Sequence, residues 1–330
     1  MTIPRIFLLV NLLAALGWPS CPHPAQAGDA TSLIAALREA DAALLREPVW
    51  RWGEASLALI QTGEFGHART GPWRMGVGAL TAEITLRTRK EGSEIARMPV
   101  LTLSVNGRKV ASMEGEETYL DQPFFAAQIA EMDPGNPYPE VVFSSYTGGA
   151  HCCSGTRILA SSPDGKSWRV VEAGHFDGGP LLVDDADNDG RAEIVERDNQ
   201  FLYAFGCYAC SRAPLKIERL DKGKLIVVSR ETSFADRQRQ YLKSMIERAE
   251  PDMDINAFLA GYVAQKVLIG EGPQAIALMR QHFDRDAGID YEQCSIALDK
   301  EGNCKGKMLK LDFAAALEHF LKTSGYDWEK

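Results

Sequence analysis

Past its N-terminal stretch the chain has no apolar run long enough to cross a bilayer, which takes about 20 consecutive apolar residues. No membrane span is expected in the rest of the protein. Positive charge is also short: Lys and Arg total 36 against 45 Asp and Glu, for a formal net charge of −9. An acidic chain repels phosphate backbones and anionic headgroups, which argues against nucleic acid and lipid surfaces as partners. The sequence holds no nucleophile elbow, phosphate-cradling loop, dinucleotide fingerprint or zinc-protease helix, so no residue is assigned to catalysis by motif. Histidine is scarce, and His67, His175, His282 and His319 stand outside any ligand spacing.

What is present points to export. Arg5 precedes an apolar stretch over 6–18 that is too short to span a bilayer as a helix, and Ala25-Gln26-Ala27 offers a small-x-small cleavage site. This predicts a signal peptide over 1–27 and a periplasmic or secreted protein. Cys21 follows Trp18-Pro19-Ser20, a poor context for lipid anchoring. Its removal leaves Cys152, Cys153, Cys207, Cys210, Cys294 and Cys304, an even number that reads first as disulfides in an oxidising compartment.

The apolar pattern divides the chain. Residues 32–45 carry Leu33, Leu37, Ala40 and Leu44 on one helical face, stopped by Pro48. Short alternating runs follow, with strands expected over 80–87, 100–105, 140–146, 156–161, 168–172, 180–183, 192–196, 201–205, 215–220 and 225–229. Asn106-Gly107 marks a hairpin turn. After Arg230 the period lengthens to about 3.6, giving four helices, the first capped by Ser233 and another by Asp254 or Asn256. The expectation is an α+β protein: an N-terminal helix over 28–47, a β-rich domain over 48–231 and a helical subdomain over 232–330. A weak internal repeat lies in the β-rich part. Glu140-Val141-Val142 follows Asp133-Pro134-Gly135-Asn136 as Glu193-Ile194-Val195 follows a longer aspartate series. The first copy should keep the turn and lose the metal.

That series, 185–195, is the strongest chemical signal. Asp185, Asp187 and Asp189 alternate as the first ligands of a calcium loop, Gly190 permits a sharp turn, Arg191 can offer its backbone carbonyl and Glu193 a further carboxylate. Glu196 falls where an EF-hand places its last ligand, but an EF-hand needs flanking helices, and 181–183 and 194–195 are strand-like. The stretch 182–195 resembles the FG-GAP/VCBS repeats of secreted bacterial proteins and integrin-type propellers. It matches their Asp-x-Asp/Asn-x-Asp-Gly-x-x-Asp-apolar motif with Glu193 in place of the last aspartate. The resemblance implies calcium held by Asp185, Asp187, Asp189, the Arg191 carbonyl and Glu193. It also implies a partial propeller or sandwich-like region, because the residues are too few for a full propeller. Asp252-Met253-Asp254 imitates the series, but helical residues follow it at once.

The other unusual stretch is Gly148-Gly149-Ala150-His151-Cys152-Cys153. The repeat register would bring Cys152 and Cys153 near Cys207 and Cys210, as two disulfides stapling neighbouring hairpins. The alternative is a zinc or copper site, or an enzyme, built on His151 and those four thiolates. Thiol redox chemistry at Cys207-Tyr208-Ala209-Cys210 is disfavoured by the strands expected on both sides, since such pairs usually open a helix. Cys294 and Cys304 read as a local disulfide. The first functional expectation is an exported, non-enzymatic, calcium-binding and disulfide-stabilised scaffold for a protein or glycan partner.

Overall fold

The computed structural model describes residues 27–48, 59–65, 71–150, 152–285, 287, 291–296, 298–300 and 302–329. Trp50, Trp52, His67 and His151 lie outside them. The protein is α+β, with antiparallel sheets and a helical C-terminal region.

Three sheets stack face to face. The outer one contains β2 (Trp73–Val77), β3 (Leu80–Glu91), β4 (Glu94–Val105) and β5 (Arg108–Glu114) as a meander. Asn106 and Gly107 join β4 to β5 with φ of 49° and 76°, the two left-handed positions that a tight hairpin turn demands. The central sheet has the order β1 (Leu59–Phe65), β6 (Phe125–Ala130), β7 (Glu140–Tyr146), β8 (Cys152–Ser161), β9 (Trp168–Asp177). The third contains β10 (Ile194–Arg197), β11 (Leu215–Asp221) and β12 (Lys224–Val227).

Strand alternation explains why the central sheet is buried on both faces. Phe125, Ala127, Ile129, Val141, Phe143 and Leu159 meet Leu80, Ile84, Leu101 and Leu103 of the outer sheet. The intervening Ala130, Val142, Ile158 and Ala160 point the other way, to Leu181, Val183, Ile194 and Leu220. Trp73 caps the first interface edge-on to Phe125, with ring centroids 5.0 Å apart.

Two strand expectations fail for identifiable reasons. Residues 180–183 run beside β6 without joining a ladder. The Gln128 side chain takes the place of a partner strand, accepting from Val183 N at 2.6 Å and donating to Val183 O at 3.2 Å. Residues 201–205 are a turn after the short 3₁₀ helix Asn199–Phe201, which Asp198 caps. Phe201 and Phe205 are apolar because they plug into the helical core, not because they alternate.

The helices are α1 (Ala27–Ala40), α2 (Ala42–Arg46), α3 (Ala235–Glu247), α4 (Ile255–Leu268), α5 (Gly272–His282) and α6 (Phe313–Thr323). Ser233 does not cap α3; it lies inside a 3₁₀ turn, Thr232–Phe234. Asp254 caps α4 by accepting from Ala257 N, which accounts for the false calcium series. The hairpin of β13 (Tyr291–Cys294) and β14 (Met308–Leu311) interrupts the helices before α6. α1 and α2 come first in sequence but pack against the last helices: Leu33, Leu37 and Leu44 share a core with Leu242, Leu259 and Leu317. The buried Asp41 carboxylate accepts from Tyr262 Oη at 2.8 Å and pairs with Lys266 Nζ at 2.6 Å.

Candidate metal centre

The acidic loop starts and ends on one antiparallel bridge, Asp184 to Glu193, whose backbone groups bond each other at 3.0 and 2.8 Å. The bridge continues into β10, so both flanks are extended. Within the loop, Asp185 turns back on the chain: Oδ1 accepts from Asp189 N at 3.0 Å and Oδ2 from Gly190 N at 3.1 Å. Glu193 is fully buried, and its Oε2 accepts from Ala186 N at 3.1 Å.

Oxygen atoms of Asp185, Asp187 and Glu193 lie within 4.8 Å of one another. Two carboxylate oxygens in this cluster, Asp187 Oδ1 and Glu193 Oε1, are buried without a hydrogen-bond partner. The Asp187 side chain is 4% exposed. Arg219 of β11 is the nearest cation, with Nε 3.7 Å from Glu193 Oε1 and Nη2 4.0 Å from Asp187 Oδ2, both beyond hydrogen-bond reach. Its firmest bond goes elsewhere, to Glu231 at 2.9 Å. Burial raises the Asp185 carboxyl above its usual range and pushes Glu193 up to about 8, with Asp187 and Asp189 adding like-charge repulsion. Buried, crowded and partly unpaired carboxylates are what a hard divalent cation relieves, and an all-oxygen donor set suits calcium.

Asp189 is exposed and outside that trio; its Oδ1 accepts from Arg191 N at 2.8 Å. The Arg191 side chain, not foreseen as functional, ties the loop to its surroundings through Met132 O at 3.1 Å and Leu220 O at 3.0 Å. Glu196 lies within β10 and is not among the converging carboxylates. Arg219 and Arg237 were also missed. Arg237 of α3 bonds Asp184 Oδ2 at 3.1 Å, fastening the loop to the helical region. Neither arginine carries a local signal, because each meets the loop from a distant part of the chain.

The 133–140 loop, expected from the sequence to be a degenerate copy, has a different chemistry. Glu140 is equally buried, but Met132 N, Asp133 N and Asn136 Nδ2 donate to it at 2.9, 3.0 and 2.7 Å. Both of its oxygens are satisfied from within the protein, though burial still raises its carboxyl to about 7.

The cysteines pair locally: Cys152 with Cys153, Cys207 with Cys210, Cys294 with Cys304. The staple expected between the 152–153 and 207–210 regions is not formed. The two are joined instead by a hydrogen bond from the Tyr208 hydroxyl to Asp177, which opposes Cys152 across β8 and β9, at 2.5 Å. A disulfide sulfur is not a thiolate ligand, so a zinc or copper site there would first require reduction.

The profile of the sll0997 C-terminal domain matches residues 234–325, the span from Phe234 through α6. The chain is 32% identical over 250 residues to the uncharacterized protein y4bJ of Sinorhizobium fredii, covering 74% of this chain and 39% of that one. It is 38% identical over 253 residues to a Synechocystis sp. protein described as "Probable thylakoid lumen protein sll0997", covering 76% of this chain and 74% of that one. No solved structure matches it. The match spans most of both proteins and takes in the sheets as well as the helices, and on that extent the chain belongs to the sll0997 family.

Proposed function

We propose that this protein is an exported scaffold whose FG-GAP/VCBS-like loop at 185–193 binds calcium in a structural, not a catalytic, role. The observation that carries the reading is the pair of buried oxygens without a hydrogen-bond donor, Asp187 Oδ1 and Glu193 Oε1, converging with Asp185 and met only at a distance by Arg219. Leaving such groups unpaired costs stability that a bound cation returns. The ion would clamp the bridge at Asp184 and Glu193 and, through Arg237, the junction with α3. Its role is structural, and the partner is a protein or a glycan met outside the cytoplasm. The leader pattern and the lumenal description of the Synechocystis relative both support export, because a thylakoid lumen is topologically equivalent to a periplasm.

Isothermal titration of the chain lacking 1–27 tests the reading. Calcium uptake at micromolar to millimolar concentration, lost in the double variant Asp187→Asn/Glu193→Gln, is expected. Absence of heat at millimolar calcium removes it.

A further inference from the structure

Residues 201–205, expected as a strand, form a turn that leads directly into Cys207-Tyr208-Ala209-Cys210. Cys207 opens a single helical turn: Ser211 N donates to Cys207 O at 2.9 Å, and Cys210 N donates to Cys207 Sγ at 3.2 Å. An N–H aimed at the first sulfur of a Cys-x-x-Cys pair stabilises negative charge there. Gly206 seats this turn on a rigid element, since a Cβ at that position would come within 2.8 Å of Ala257 Cβ on α4. Tyr203, just upstream, holds φ of 62°, a left-handed conformation disfavoured for a bulky residue.

Cys207 and Cys210 are half-buried and line an open cleft of about 1280 Å³ between this turn and the β13–β14 hairpin. Its rim carries exposed apolar side chains, Tyr203, Ile296, Leu298 and Met308. A bond between residues three apart closes too small a loop to restrain the unfolded chain much, so a staple role explains this pair poorly.

We propose that Cys207–Cys210 is a thiol–disulfide exchange site that oxidises a pair of cysteines carried on an extended, apolar segment of another polypeptide. A substrate thiolate attacks Cys207 Sγ. A mixed disulfide forms, the Cys207–Cys210 bond breaks, and its electron pair leaves on Cys210. The substrate's second thiolate then attacks the substrate sulfur of the mixed disulfide, and the electron pair leaves on Cys207, where the Cys210 N–H stabilises it. The substrate loses two electrons and two protons and gains a disulfide; the protein ends with two thiols. Cys294–Cys304, whose first sulfur is buried in the opposite wall, stays closed throughout.

The test uses the full chain in native buffer with a reduced synthetic apolar peptide bearing two cysteines, followed by alkylation and mass spectrometry. The expected result is one peptide disulfide formed for each pair of thiols appearing at Cys207 and Cys210. In glutathione buffers, Cys207–Cys210 should open at a thiol-to-disulfide ratio about tenfold lower than Cys294–Cys304 needs. The Cys207→Ala/Cys210→Ala double variant should abolish peptide oxidation and leave the melting temperature unchanged. The proposal is overturned if Cys207–Cys210 opens only after denaturation, if Cys152–Cys153 or Cys294–Cys304 takes up the electrons instead, or if the double variant still oxidises the peptide.

Discussion

Glu140 and Glu193 occupy the same place in two successive loops. Each is fully buried, Glu140 opening a strand and Glu193 directly preceding one, and each accepts from backbone N–H groups, two at Glu140 and one at Glu193. They differ in what completes the shell. Around Glu140 the protein supplies a second amide and the Asn136 side chain; around Glu193 it supplies two more aspartates and an arginine that stops short of bonding distance. One loop is closed by the protein's own donors, and the other leaves Asp187 Oδ1 and Glu193 Oε1 without one. The difference teaches that a buried carboxylate marks a metal site only when its remaining lone pairs are not already used.

The comparison breaks most sharply under truncation. Glu140→Ala strands the Met132 and Asp133 N–H groups in the interior, while Asn136 keeps its bond to Asp133 O, and should cost about 3–4 kcal/mol in urea unfolding, with or without calcium. Titration of acid should show the next largest effect. For a carboxyl raised to about 7 in the fold from 4.5, the folded state holds the proton more tightly. Its contribution is complete below pH 4.5 and is lost as pH rises through about 7, on the order of 3 kcal/mol in calcium-free buffer. Glu193 extends the same decline to about 8, and saturating calcium should abolish the Glu193 part while leaving the Glu140 part untouched. Stability measured across pH with and without calcium separates the two.

Glu193→Gln should then behave oppositely to Glu140→Ala. Below about pH 8 it replaces a carboxyl that the calcium-free protein holds protonated with a neutral side chain of the same shape, so that protein should be no less stable. The roughly 2–3 kcal/mol that calcium adds at a hundred times its dissociation constant should vanish. Thermal melts in chelator and in millimolar calcium read both halves. The smallest effect is expected from Arg219→Gln. With the resident cation gone, calcium should bind about tenfold more tightly by titration, since the ion no longer competes with a guanidinium.

Much of this was legible in the chain. Asn106-Gly107 placed the β4–β5 hairpin, the change of period at Arg230 placed the helical region, and the aspartate spacing located the loop, because each is a short-range signal. The failures are long-range. Residues 180–183 look like a strand and are denied a ladder by Gln128, fifty-five positions away. Phe201 and Phe205 look like alternation and are plugs for a core assembled from later helices. Arg219, Arg237 and the donors around Glu140 matter only through where the fold brings them.

The seating of α1 has a consequence in time rather than in space. Leu33 and Leu37 emerge first from any ribosome or export channel, while the side chains that cover them, from Leu242 to Leu321, emerge last. Joining ends some two hundred residues apart in an unstructured chain would cost roughly 5 kcal/mol in loop closure. The three sheets shorten that gap if they form first. The N-terminal helix can dock only once the C-terminal helices have emerged, and until it docks, the helical region keeps an apolar face open to chaperones and proteases.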